Sequence, residues 1–111
     1  MAFIDTRALA AKQPLPGWQG RFFSSQHMTF GYYEVAAGAA IHAHSHSNEE
    51  VWHVLEGELE VTIAGETRIA RQGAVAIVPP DTLHSVRALS NGRAIVVDSP
   101  ARRSIGGVST D

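Results

Sequence analysis

The stretch Gly38-Ala39-Ala40-Ile41-His42-Ala43-His44-Ser45-His46-Ser47-Asn48-Glu49-Glu50-Val51-Trp52-His53-Val54-Leu55-Glu56-Gly57 decides how the chain reads. Side chains on an extended strand alternate faces with a period of two. His44 and His46 therefore share a face, and His42 joins them if the strand runs straight through it. Glu50 lies four residues past His46. A short turn at Ser47-Asn48 followed by a new strand brings its carboxylate back to the same place. Glu49 falls on the other face of that strand. Imidazoles with one carboxylate suit Zn, Fe, Ni or Mn better than Ca or Mg.

A further histidine stands downstream. Gly73 to His84 reads as an apolar strand (Ala74 to Val78), a Pro79-Pro80-Asp81 turn, and a strand beginning near His84. If that strand packs opposite the first cluster, His44, His46, Glu50 and His84 form a set of three imidazoles and one carboxylate. Buried unpaired, such a set is costly. A divalent transition metal, whether Fe, Ni, Mn or Zn, neutralises the carboxylate and uses the nitrogen lone pairs.

These residues carry a family resemblance. The first stretch resembles the first cupin motif, G-x5-H-x-H-x3-E-x6-G, at all five defined positions: Gly38, His44, His46, Glu50 and Gly57. The second resembles the second cupin motif, G-x5-P-x-G-x2-H-x3-N, at Gly73, Pro79 and His84. Asp81 stands where that motif has glycine and Ala88 where it has asparagine. Asp tolerates a left-handed backbone better than most residues, so the turn survives the change. The resemblance implies a jelly-roll β-barrel. It also implies one metal ion on His44, His46, Glu50 and His84.

The rest of the chain agrees with an all-β domain. At 111 residues it is one domain, with 44% hydrophobic residues and a net charge of −2. That charge gives no sign of nucleic-acid binding. There are no cysteines, which excludes disulfides, thiolate metal sites and cysteine nucleophiles. Asp5, Arg7 and Lys12 interrupt any apolar leader, and no apolar run reaches membrane-spanning length. A cytoplasmic protein is the expectation. The resemblance also implies a homodimer, formed through a sheet edge or an exchanged N-terminal strand.

Residues 1–20 read as an N-terminal extension, with a short helix from Met1 to Gln13 capped by Asp5 or Thr6 and stopped by Pro14 and Pro16. Residues 21–100 read as the barrel. Its expected strands are Arg21–His27, Met28–Ala36, Ala40–His46, Val51–Leu55, Glu58–Ala64, Thr67–Arg71, Ala74–Val78, Leu83–Leu89 and Arg93–Asp98. Ala74–Val78, wholly apolar, reads as buried. Gly65-Glu66 and Asn91-Gly92 read as hairpin turns. Residues 101–111 read as a loosely ordered or neighbour-bound tail, with Arg102-Arg103 solvated.

Other side chains take supporting roles. His42 is a candidate proton shuttle on the ligand face. Trp52 and at least one of Tyr32 and Tyr33 wall a small-molecule pocket. Trp18 plugs the core edge, His53 packs on the opposite face, and His27 has no specific role. A metal in this setting permits dioxygenase chemistry, Lewis-acid isomerase, lyase or cyclase chemistry, or ligand binding alone.

Overall fold

A computed structural model describes residues 2–111. Alternation builds its strands. In β2 (Trp18–Ser24) and β3 (Thr29–Val35), Trp18, Phe22, Tyr33 and Val35 turn inward while Gln19 and Glu34 face out. The same period places Glu50, Trp52 and Val54 of β5 (Glu49–Glu56) inside. Ala94, Val96 and Asp98 of β10 (Gly92–Ser99) face inward likewise.

Two antiparallel sheets result. The larger runs β1-β2-β3-β10-β5-β8, with β1 at Lys12–Leu15 and β8 at Val75–Val78. The smaller runs β4-β9-β6-β7, with β4 at Ala40–His44, β9 at His84–Ala88, β6 at Leu59–Ile63 and β7 at Glu66–Ala70. The core lies between them and includes Trp18, Phe22, Trp52, Val54, Leu59, Val61, Val86 and Val96. This is the jelly-roll arrangement, with facing sheets rather than one closed ring of strands. No described helix is long and apolar enough to cross a membrane.

The motif glycines do specific work. Gly57 has φ +82, and a Cβ there would stand 2.4 Å from the Asn91 carbonyl oxygen. The turn leaving β5 thus needs both the left-handed backbone and the missing side chain. Asp81 adopts φ +57, and its N–H donates to the His46 carbonyl at 2.8 Å. That bond ties the two motifs together at the turn. Ala88 is buried, and its N–H donates to the Ala39 carbonyl at 2.8 Å while its carbonyl accepts from the Gly38 N–H.

Four expectations need correction. The N-terminal helix shrinks to one 3-10 turn at Thr6–Ala8, whose N–H at Arg7 is capped by the Asp5 carboxylate; its expected start at Met1 lies outside the described residues. The backbone from Lys12 instead pairs with β2, because a sheet edge satisfies more of its polar groups than an isolated short helix. Val75–Val78 is buried on one face only: as the last strand of the larger sheet it turns Ala76 and Val78 to the core and leaves Val75 57% and Ile77 58% exposed. Asn91-Gly92 does not close a hairpin, since β9 and β10 belong to different sheets. Asn91 Oδ1 accepts from the Ala37 N–H at 2.8 Å and pins that crossing.

The fourth concerns the tail. Residues after Ser99 fold back over the chain's own sandwich, ending in a two-stranded ribbon of β11 (Ser104–Ile105) and β12 (Val108–Ser109). Arg102 is fixed by its backbone: its N–H donates to Thr29 Oγ1 at 2.9 Å, and its carbonyl accepts from Thr29 and Thr110 hydroxyls. Both threonines are almost fully buried. Partners 73 residues apart along the chain meet here.

Candidate metal centre

His44 ends β4 and His84 begins β9, and the two are direct cross-strand partners. His46 follows on the connection to β5, whose second residue is Glu50. The strand and turn thus converge from two sheets. Ring centroids of His44 and His84 are 4.3 Å apart, those of His46 and His84 4.9 Å, and those of His44 and His46 5.5 Å. Ligand atoms fall into two overlapping sets, His44-His46-His84 and His46-Glu50-Asp98. Glu50 Oε2 lies 3.0 Å from His84 Nε2, and Oε1 lies 3.6 Å from His46 Nε2.

The hydrogen bonds fix which nitrogen faces the centre. Nδ1 of His44 donates to the His42 carbonyl at 2.9 Å, that of His46 to Asn48 at 3.2 Å, and that of His84 to Thr82 at 2.8 Å. A carbonyl only accepts, so each Nδ1 carries the proton. In a neutral ring that leaves a lone pair on every Nε2. His46 Nε2 and His84 Nε2 are both buried without a hydrogen-bond partner. A neutral His84 would hold its lone pair 3.0 Å from a carboxylate oxygen. That pairing calls for a cation, either a proton or a metal ion. The donor set and its backbone-fixed rings are what a transition metal uses.

Charges reinforce this picture. Burial lifts the Glu50 carboxyl, but the His46 and His84 rings beside it and the Trp52 N–H outweigh it and hold the group well below the ordinary carboxylate range. Burial keeps the His44 ring neutral by lowering its pKa. Burial also acts to lower His84, yet the Glu50 carboxylate and the Thr82 carbonyl raise it on balance. Asp98 is pushed up to about 7 by burial and by the charge of Glu50. Burial, with the Asp98 charge, raises the Tyr33 phenol, which therefore stays protonated.

A cavity of about 190 Å³ opens beside the cluster. His42, His44, Glu50 and His84 line its polar end; Trp18, Tyr33, Trp52, Ile41, Val86 and Val96 form its walls. Pro14 and Leu15 of the β1 region, with Ile105 and Gly106 of the tail ribbon, stand at its rim. His46 is not on its wall.

The sequence-derived candidates thus divide. His44, His46, Glu50 and His84 come together. His42 is exposed at the cavity edge, its ring centroid 6.0 Å from that of His44. Trp52 is more than a wall, because its indole N–H donates to Glu50 Oε2 at 2.9 Å and aims the carboxylate. Tyr33 faces the cavity. Tyr32 does not: one residue earlier on β3, it points outward and stacks on Phe23 at 6.1 Å.

Two residues escaped the sequence reading. Asp98 is 1% exposed and its Oδ1 has no partner. Its signal was present, since an acid occupied an inward position in the apolar alternation of Arg93 to Ser99. Arg102, expected to be solvated, is instead 17% exposed and brings Nη1 to 3.5 Å from Glu50 Oε1 and 3.8 Å from Asp98 Oδ2. Nothing local marks it, because only the folded-back tail puts it there.

Comparison with known proteins agrees with this fold. An uncharacterized protein of Streptomyces coelicolor is 31% identical over 81 residues, covering 72% of this chain and 77% of its own length. An RmlC-like cupin from Shewanella frigidimarina superposes with TM-score 0.86 at 23% identity, covering 92% of this chain and 93% of that one. Bacillus subtilis oxalate decarboxylase, described with Mn(II) centres, superposes with TM-score 0.79 at 19% identity; the match covers 91% of this chain but 30% of that one. Residues 31–100 match the model of the cupin domain, and with well over half its length in that match, the chain belongs to the cupin family.

Proposed function

We propose that the protein is a small-molecule metalloenzyme of dioxygenase type, holding one divalent transition metal on His44, His46, Glu50 and His84. The carrying observation is the pair of buried, unpartnered Nε2 atoms on His46 and His84 beside the Glu50 carboxylate. Such a metal supplies a redox-active or Lewis-acidic centre when bound. The chain's residues do the rest. Three backbone carbonyls orient the imidazoles, Trp52 orients Glu50, and the apolar walls exclude water from a small organic substrate.

A second reading draws on His42. It stands at the cavity edge and is free to move a proton, which suits Lewis-acid isomerase, lyase or cyclase chemistry. A third leaves the cavity as a binding site alone. Elemental analysis of native protein, with dioxygen uptake on a panel of diketones, flavonols and thiols, separates them. Bound Fe, Ni or Mn with uptake supports the first reading. A redox-inert metal without uptake supports the second or third, and metal at trace level after supplementation overturns all metal-dependent readings.

A second copy of the chain is proposed as a partner. Cross-strand register sets Phe23, Phe30, Val97, Val51 and Ile77 in one row across the outer face of the larger sheet. Arg93 at the edge of that face is paired with Glu56 at 3.3 Å and Arg21 donates to the Leu9 carbonyl, so the apolar row carries the proposal. Chains rarely leave such a patch uncovered. Light scattering at micromolar concentration should give the dimer mass, reduced to the monomer by Ile77→Asp. A monomeric parent overturns the proposal.

A further inference from the structure

Arg102 is the cation that the metal reading does not use. Its side chain is 17% exposed and it stands on the cavity wall. Its backbone is bonded to Thr29 and Thr110, so the chain spends buried polar groups to hold it there. A guanidinium offers five N–H donors in a planar fork. Its two contacts with protein carboxylates, 3.5 and 3.8 Å, are longer than a good hydrogen bond of about 2.7–3.2 Å. The fork is close to Glu50 and Asp98 but bonded to neither.

Charge counting gives the missing partner. Glu50 and Asp98 contribute two negative charges and Arg102 one positive. A divalent cation on the three imidazoles and Glu50 brings the total to +1. The enclosed site then lacks an anion. Glu50 is the one acid on the cavity lining, whose other walls include the apolar Trp18, Ile41, Val86 and Ile105. At about 30 Å³ per water, the cavity has room for roughly six waters, or a ligand of comparable size.

We propose that the cavity accepts a small monocarboxylate with an apolar body, and that Arg102 is its specificity-determining residue. The carboxylate takes the free edge of the guanidinium fork, where bidentate N–H···O pairing is strongest. Asp98, with Oδ2 3.8 Å from Nη1, attracts the side of the fork that faces the acids and acts as a positioning residue. The apolar body lies against Ile41, Val86 and Ile105. This inference rests on the metal reading for its charge count.

The test compares hexanoate with hexanamide, which match in size and differ in charge. Both are titrated calorimetrically into zinc-loaded wild type, Arg102→Met and Arg102→Lys, with quenching of the cavity tryptophans as a second readout. Zinc uptake is measured first. Hexanoate should bind wild type at least tenfold more tightly than hexanamide. Arg102→Met should erase that preference, and Arg102→Lys, which keeps charge but loses the fork, should retain part of it. Equal affinities in wild type overturn the inference, as does an undiminished preference in Arg102→Met or in a folded Arg102→Lys alongside it. Zinc uptake without a carboxylate preference overturns this inference alone. Failure to take up zinc overturns the metal reading and the charge count together.

Discussion

The two ends of the space between the sheets are equally buried and differently satisfied. Along β9, Ala88 marks one end and His84 the other, four residues or about 13 Å away. At the first end Leu59 pairs across from Ala88 and Ala70, and no ionisable side chain is buried beside them; the Trp18 indole N–H is the one buried side-chain polar atom outside the site that lacks a partner among the described residues. At the second, His84 is 2% exposed and Asp98 1%, against 1% for Leu59. Yet His46 Nε2, His84 Nε2 and Asp98 Oδ1 lack partners there. Burial is therefore not what separates core from site. The apolar end supplies stability, and the polar end forgoes some of it to stay ready for a cation.

The largest effect should come from damaging the apolar end. Leu59→Ala removes a fully buried side chain and should cost about 2–5 kcal/mol by denaturant unfolding. Because its cavity lies a full strand length from the ligands, zinc stoichiometry in the folded fraction should not change. Loss of metal binding along with stability would show that the two ends are coupled.

Damage to the polar end should invert that result. His84→Ala removes a ligand nitrogen, and should weaken zinc binding by more than the roughly 10–100-fold that loss of an outer partner costs. Trp52→Phe keeps an aromatic ring at the position but removes the N–H to Glu50 Oε2 together with the smaller ring of the indole. It should weaken binding about tenfold, at the lower edge of that range. Equilibrium competition with a chromogenic chelator measures both. Equal losses in the two variants would mean that Trp52 acts through packing rather than through the carboxylate.

The same contrast explains what the sequence disclosed. The apolar end was legible because period-two alternation in Leu59 to Ile63 is a local pattern that survives in any register that buries it. The ligands were legible because His44, His46 and Glu50 lie within seven residues of one another on adjoining strands. Tyr32 and Tyr33 were left unresolved, since a single-residue register choice decides which faces in. Val75 and Ile77 misled because an apolar run does not say whether a strand lies at the centre or the edge of a sheet. Arg102 was hidden for a topological reason: its place depends on Thr29, at the far side of the chain, and no local spacing encodes that meeting.

The smallest expected effect is a dependence on pH that only the polar end can produce. In the metal-free chain Asp98 is held up to about 7 and His84 is raised above its ordinary 6.5. Both folded-state pKa values exceed the unfolded ones, so the folded chain holds more protons and loses stability as pH rises through that window. Glu50 is shifted downward, and its contribution is lost only as pH falls below about 4.5. His44, also lowered, works the other way, but only until its unfolded form has lost its proton a little above 6.5. Between pH 6.5 and 8 the first two groups therefore decide the sign, and Asp98 alone accounts for about 1 kcal/mol, or about 4 °C in Tm. Added zinc takes the place of the proton between His84 and Glu50, so its stabilisation should be larger at pH 8 than at pH 6.5. Thermal melts at the two pH values, with and without zinc, measure this. A metal-free Tm that rises with pH would mean that the buried acid and imidazole do not share protons as their contacts imply.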